Sequence, residues 1–356
     1  TKRRAGFWAL AGLQLVACGS EPEASQVAAD AASLSLAAAS AELIAIAQIG
    51  SDQADQATQT AAPLENGLPG NLLGGMGSGL TYVGANAYLA IPDRGPNATT
   101  YAEAIDNTTS YIPRFHTVKL KLKKSARGSA LPFDVVTKVR KTTLLSERTA
   151  LVYGSGAGLG VGNGAPALNE RRTFYFSGRS DNFEPNLPST NPTNGRFDPE
   201  NIRVSNDGKH VFIADEYGPY VYQFDRKSGR RERVFTLPSE FAVAHQNPVG
   251  DTEISDNTSG RVANKGMEGL AIAPDGKTLL GAMQSPLAQD GGVDARDLRL
   301  VSIAIDTGAI DPFAQRLLPG AKVDDRAAGG IQDQDAFRVE HDGLARHFIG
   351  LKAGSG

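Results

Sequence analysis

Residues 198–219 read DPENIRVSNDGKHVFIADEYGP. Two apolar runs, Ile202 to Val204 and Val211 to Ala214, flank Asn206-Asp207-Gly208. This reads as a hairpin, because Asp-Gly supplies the positive φ that a two-residue turn requires. Glu200 stands just before the first strand, and Asp215-Glu216 follows the second, held by the Gly218-Pro219 corner. Carboxylates therefore gather at one end of the hairpin.

The unit recurs. Residues 267–277, MEGLAIAPDGK, place Glu268 where Glu200 stands and Asp275-Gly276 where Asp207-Gly208 stands. Gly79 to Val83 opens a third unit, which ends at Asp93-Arg94-Gly95-Pro96. From the apolar residue that starts each unit the steps are 80 to 93, 202 to 215 and 270 to 283, each of 13 residues, so a common register is expected. Hairpins repeated at such intervals predict an all-β chain, a β-propeller of about six blades (five to seven), with one degenerate unit between the first two. The equivalent ends of the innermost strands would meet on the axis. Asp93, Glu200, Asp215, Glu216 and Glu268 are expected to converge there.

Bulk properties agree with this. The 356 residues are 40% hydrophobic, enough for a large core, and 40 Gly with 19 Pro favour a turn-rich β architecture. A net charge of −3 lacks the basic excess of a nucleic-acid binder, so no nucleic acid is expected as a partner. One cysteine excludes an internal disulfide or a thiolate zinc cluster. That cysteine is Cys18. It follows a basic Lys2-Arg3-Arg4 segment, an uncharged stretch from Ala5 to Leu13 and the small-residue run Leu15-Val16-Ala17. The segment resembles the lipobox of bacterial lipoproteins, which implies a signal peptide over 1–18, lipidation of Cys18 and a membrane attachment through that lipid. That resemblance implies the bacterial cell envelope, on the periplasmic side or the surface of the outer membrane, and Gly19 after the cysteine, rather than Asp, favours the outer membrane over inner-membrane retention. Residues 19–40, rich in Ala and Ser, read as a tether, and 41–356 as the propeller domain.

Within the domain, Ala41 to Ile49 is expected to be a first strand that pairs with the last blade. Phe115 to Leu122 alternates as a half-exposed strand whose lysines form its outward face rather than a nucleic-acid patch. Val135 to Leu145 reads as another strand pair. Arg171 to Ser177 leads into the central unit, and Tyr220 to Asp225, Val234 to Leu237 and Leu298 to Ile305 supply outer strands. The glycines of 154–160 lack the Gly-Lys-Ser/Thr of a phosphate loop and read as a plain loop. Residues 239–265 form a long polar insertion, of the kind that often serves as a lid.

Asp93-Arg94-Gly95-Pro96, Asp198-Pro199-Glu200, Asp215-Glu216-Tyr217-Gly218-Pro219, Gly266-Met267-Glu268-Gly269-Leu270-Ala271 and Met283-Gln284-Ser285-Pro286-Leu287 together resemble the phytase-like propeller family described as having esterase-like activity of phytase. The resemblance spans roughly residues 40 to 350. It implies an extracytoplasmic propeller associated with phosphate-ester or carboxyl-ester hydrolysis. The family's later Glu-Gly and Asn-Asp unit is missing here, so an incomplete last blade is expected.

Converging carboxylates, without thiolates or clustered histidines, suit a hard divalent cation, calcium first. The expected metal ligands are Asp93, Glu200, Asp215, Glu216 and Glu268. Glu200 and Glu268 are the catalytic candidates, and Arg94 the clamp for an anionic ester oxygen. Asp93 and Asp215, ahead of their Gly-Pro corners, fit equally well as caps that accept backbone N–H bonds, and Asp207 and Asp275 belong to their turns. Ser78, Ser155 and Ser285 lack the Gly-x-Ser-x-Gly setting of a nucleophile. Of the five histidines only His245, in the insertion, is placed for acid–base work. The function expected is an envelope-anchored, metal-assisted hydrolase of small anionic esters. The alternative is a non-catalytic propeller lipoprotein that binds a ligand or partner and holds a structural cation.

Overall fold

The computed structural model describes residues 43–50, 52–73, 76–96, 99–154, 164–316 and 351–354. The expected signal segment, Cys18, the tether and Ser155 lie outside these residues. In chain order the strands are β1 (Ala47–Gly50), β2 (Met76–Gly84), β3 (Ala87–Pro92), β4 (Arg114–Lys124), β5 (Phe133–Leu144), β6 (Ser146–Glu147), β7 (Phe174–Tyr175), β8 (Pro199–Val204), β9 (His210–Asp215), β10 (Val221–Asp225) and β11 (Arg231–Phe235). A short helix, α1 (Gly250–Asp256), precedes β12 (Met267–Ile272), β13 (Thr278–Met283), β14 (Asp297–Ala304), β15 (Ile310–Arg316) and β16 (Leu351–Gly354).

Three antiparallel four-stranded meanders result: β2-β3-β4-β5, β8-β9-β10-β11 and β12-β13-β14-β15. A two-stranded β6–β7 ladder lies between the first two in sequence, where a degenerate unit is expected. None of these sheets closes on itself. β1 is shorter than its apolar run, and it pairs in parallel with β16 rather than with the β12–β15 sheet. Val135 to Leu145 is not a strand pair: β5 runs unbroken opposite the whole of β4. β15 escapes the sequence pattern because Asp311-Pro312 interrupts its apolar run.

Alternation on β9 fixes how the sheets stack. Val211 and Ile213 point into a core with Leu89 and Ile91 of β3, Phe115 of β4 and the rings of Phe176, Phe197, Tyr222 and Phe224. Phe212 and Ala214 point the other way, into a second core with Phe235, Leu270, Leu279, Val301 and Ile303. A strand apolar on both faces is buried on both faces, so the second sheet lies between the first and the third. Each fully buried Val, Leu, Ile or Phe among them contributes about 1.5–3 kcal/mol.

The first strands of the three sheets lie next to one another. The Asn201 amide donates to the Glu268 carbonyl at 3.0 Å, and Arg203 donates to the Leu80 carbonyl at 3.4 Å, so β8 is tied to β12 and β2 in turn. At the far end of the hairpins Asn206 donates to the Pro274 carbonyl at 3.0 Å. The Asp-Gly turns are wider than two residues: Ser205 pairs with His210 and Ala273 with Thr278, with Gly208 and Gly276 both at φ +72.

β2 and β8 approach so closely at Gly79 that a Cβ there would sit 2.8 Å from both the Asn201 Cα and the Ile202 nitrogen. Backbone atoms cannot yield as a flexible side-chain end can. Gly79→Ala is therefore expected to destabilise the protein by about 1–3 kcal/mol, read as a lower urea midpoint with an unchanged slope.

Candidate active site

The ends of β2, β8 and β12 share an irregularity. Where Met76, Pro199 and Met267 pair with Pro92, Asp215 and Met283, the first strand carries excess residues, and these are Gly77-Ser78, Glu200 and Glu268. A bulge re-aims the side chain it displaces, and in β8 and β12 that side chain is a glutamate. The common 13-residue step fails in the first unit. Leu80 pairs with Ala90, ten residues on, whereas Ile202 and Leu270 pair with Ile213 and Gly281, eleven on. The tighter turn at Ala85-Asn86, both at positive φ, accounts for the difference. Asp93 is thus the counterpart of Glu216 and Gln284, not of Asp215.

One carboxylate oxygen each from Asp93, Asp198 and Glu200 lies within 4.8 Å of the others, and the same holds for Glu200, Glu216 and Glu268. Glu200 belongs to both groups. Four of the five expected ligands are therefore brought together, and Asp198 joins them. Asp215 takes the other role its position allows. Its carboxylate accepts the backbone N–H groups of Asp198 at 3.1 Å, Tyr217 at 3.2 Å and Gly218 at 3.4 Å, which braces the strand ends rather than facing the cluster. Gly266 completes the assembly. Its N–H donates to Glu216 at 3.1 Å, and a Cβ there would lie 2.6 Å from the Glu216 Cα, so only glycine lets β12 start this close.

Arg94 is bound to this group. It forms an ion pair with Asp198, lies 3.8 Å from Glu216 and donates to Asn264 at 3.2 Å. Asp198 Oδ1, Arg94 Nε and Lys265 Nζ are buried with no hydrogen-bond partner among the described residues. Such groups call for a ligand, an ion or water. Sequence reasoning passed over Asp198 and Lys265. The signal for Asp198 was its place two residues before Glu200, on the approach to the same strand. Lys265 had no signal beyond nearness to Glu268.

Burial and mutual repulsion dominate the electrostatics. Burial, then the Asp198 carboxylate, pushes Asp93 up to about 8. Burial, then Glu268, pushes Glu216 up to about 7. Asp198 and Glu268 are raised by burial as well, and burial with Glu268 and Asp198 beside it lifts Glu200 well above the carboxylate range. Burial also raises Asp215 to about 6, against the N–H bonds it accepts. Burial opposes the charge on Arg94, yet Asp198 and its other neighbours hold its pKa well above the ordinary value. An all-oxygen donor set, desolvated and self-repelling, fits a hard divalent cation, which would supply the missing positive charge.

A cleft adjoins the cluster and shares Arg94 and Glu216 with it. Asp106, Tyr217, Glu253 and Arg261 are among its other walls. The 239–265 insertion lines it with Asn247, Pro248, Gly250, Glu253, Arg261, Ala263 and Asn264, and Arg261 anchors α1 through Glu253 at 2.5 Å. His245 is exposed and outside this lining. Ser285 is buried with its hydroxyl on the Pro286 carbonyl, and Ser78 sits at the bulge position.

An all-β scaffold of stacked meanders that gathers acidic residues from three sheets beside a cleft defines the class of protein. The chain belongs to the phytase-like family, described as esterase-like activity of phytase, whose model matches residues 71–342. An uncharacterized secreted protein of Arthroderma benhamiae is 38% identical over 113 residues, 28% of this chain and 22% of that one. The chain thus spans about a fifth of that relative's length. Putative 6-phosphogluconolactonases of Bacteroides fragilis and Bacteroides uniformis are 11% and 12% identical, cover 68% and 66% of this chain and 44% and 55% of theirs, and superpose with TM-scores of 0.24 and 0.25. Superpositions this loose do not define a shared fold.

Three outcomes are expected of the cluster. Asp93 and Glu216 have raised pKa values, so between about pH 4 and pH 8 the folded state binds more protons than the unfolded chain. In chelator, stability should therefore fall as pH rises through that window, which a series of thermal melts will show. Glu200→Gln replaces a group that folding must keep uncharged, and it should melt about 2–4 °C higher in chelator at neutral pH. The same variant should show a smaller rise in melting temperature on adding calcium than the wild type does.

Proposed function

We propose that this protein is a hydrolase of phosphate or related esters that works with a divalent cation, calcium first, held by Asp93, Asp198, Glu200, Glu216 and Glu268. The observation that carries this is the membership of Glu200 in two carboxylate groups beside a cleft that Arg94 and Glu216 also line. Family membership supports ester hydrolysis as the class of reaction. Adjacent first strands from three successive meanders support a β-propeller with the cluster at its axis.

A bound divalent cation supplies Lewis acidity and makes a bound water a stronger nucleophile. The chain's own groups provide the rest. Arg94, oriented by Asp198 and Asn264, faces the cleft with an unpaired Nε suited to an anionic ester oxygen. Glu200 and Glu268 are the carboxylates assigned to take a proton from the attacking water; burial raises the pKa of Glu268, and the nearby Lys265 charge offsets part of that rise. Residues of the insertion form one wall of the cleft. The N-terminal segment, with its lipobox-like run ending at Cys18, supports export and a lipid anchor at the cell envelope. The secreted relative fits an extracytoplasmic place.

Hydrolysis of p-nitrophenyl phosphate, a p-nitrophenyl carboxyl ester and phytate, with calcium or with chelator, tests this. Calcium-dependent turnover is expected on at least one substrate. Glu200→Gln and Glu268→Gln should each lower kcat by about 10²–10⁴-fold while the fold is kept. Metal-independent cleavage untouched by both substitutions would overturn the assignment of these residues. Absence of turnover in a protein that still binds calcium would make it a binding protein with a structural cation.

A further inference from the structure

The β4–β5 hairpin carries a charge distribution unlike the rest of the chain. Residues 114–144 hold nine of the 36 Lys and Arg and one of the 39 Asp and Glu. Register and alternation sort them onto one face. On it Lys119 stands opposite Lys138, Lys121 opposite Val136 and Lys123 opposite Asp134, and all six side chains are exposed. Arg140, at the bulge, extends the row, and Arg127 is exposed in the connecting turn. The single acid, Asp134, already accepts from Ser125 at 3.0 Å. None of Lys119, Lys121, Lys123, Lys138 and Arg140 forms an ion pair among the described residues.

Like charges directly opposite on neighbouring strands repel, so the fold gains nothing from the Lys119–Lys138 pair. The opposite face explains why the strands are there: Val118 and Leu120 enter the core with Val135 and Val139 packed against them. Beyond Leu120 the hairpin overhangs that core. Val136, opposite Lys121 on the basic face, is 42% exposed and sets an aliphatic side chain among the cations, while Leu122, 49% exposed, lies at the overhanging edge of the other face.

We propose that this face is a docking surface for an anionic lipid bilayer. A row of ammonium and guanidinium groups is drawn to acidic headgroups, and Val136, within that row, can enter the headgroup–acyl boundary. A nucleic acid is the poorer occupant, because no aromatic side chain lies on this face to stack on bases. The excess of acidic residues elsewhere in the chain is repelled by the same surface, which leaves this hairpin as the side that meets it. This surface is separate from the carboxylate cluster and does not depend on the reaction proposed there.

The test is partition of the full chain onto vesicles of phosphatidylcholine alone or mixed with about one third phosphatidylglycerol. The wild type is expected to prefer the anionic vesicles, with the preference lost at about 0.5 M salt. Lys119→Glu, Lys121→Glu and Lys138→Glu combined should lower binding to anionic vesicles about a hundredfold. If that triple variant melts early, Lys121→Glu alone, opposite Val136, leaves the register intact and should lose about fivefold. Val136→Ser, which keeps every charge, should weaken lipid binding severalfold. Equal partition of the wild type onto both compositions would overturn the proposal, as would undiminished binding by the charge-reversed variants. Displacement from anionic vesicles by duplex DNA together with full binding by Val136→Ser would also overturn it, in favour of a general polyanion surface.

Discussion

The like charges gathered around Glu200 are the constraint on which the rest of the site depends. Five carboxylates stand in an environment where burial and mutual repulsion both oppose ionisation. Left to itself such a group would protonate or splay apart. What holds it is backbone: bulges in β8 and β12 that aim the glutamates, the N–H groups of Asp198, Tyr217 and Gly218 on Asp215, and the close start of β12 at Gly266. Rigid strands packed on two hydrophobic cores let the fold sustain this arrangement. A cation, or a proton, then becomes the cheapest way to relieve it.

Much of the fold is legible because each hairpin announces itself locally. Ile202, Val211 to Ala214, Leu270 and the Asp-Gly turns are short-range signals, and the meanders follow from them. The two-sided burial of β9 is visible in its unbroken apolar run. Less local features are not legible. Whether Val135 to Leu145 folds back or runs straight depends on β4 across the ladder, and the shortened first hairpin shows only in its pairing with β3. Counting residues from Leu80 therefore matched Asp93 to Asp215, although its partners place it with Glu216.

The same distinction applies to the site. Glu200, Glu216, Glu268, Asp93 and Arg94 stand out by type and repeat position, and the structure gathers them. Asp215 has the same chemistry, but three N–H groups within reach decide its role, and a sequence does not say which N–H groups will be near. Asp198 was hidden because it precedes Pro199 outside the repeat, and its value comes from Arg94, 104 residues away. The basic hairpin was legible as a half-exposed strand. Its concentration on one face emerged only with the cross-strand register.

The pairing of equivalent positions also says how the acids are shared among the units. Each unit offers two places for an acid, the bulge on its first strand and the residue just past its second. The central unit fills both, with Glu200 and Glu216. The first has Gly77-Ser78 at the bulge but keeps Asp93, while the third keeps Glu268 but has Gln284. Units that each supply a different part of one set of acids depend on one another. None of the three can be shed or exchanged without breaking the set, although all of them are four-stranded meanders.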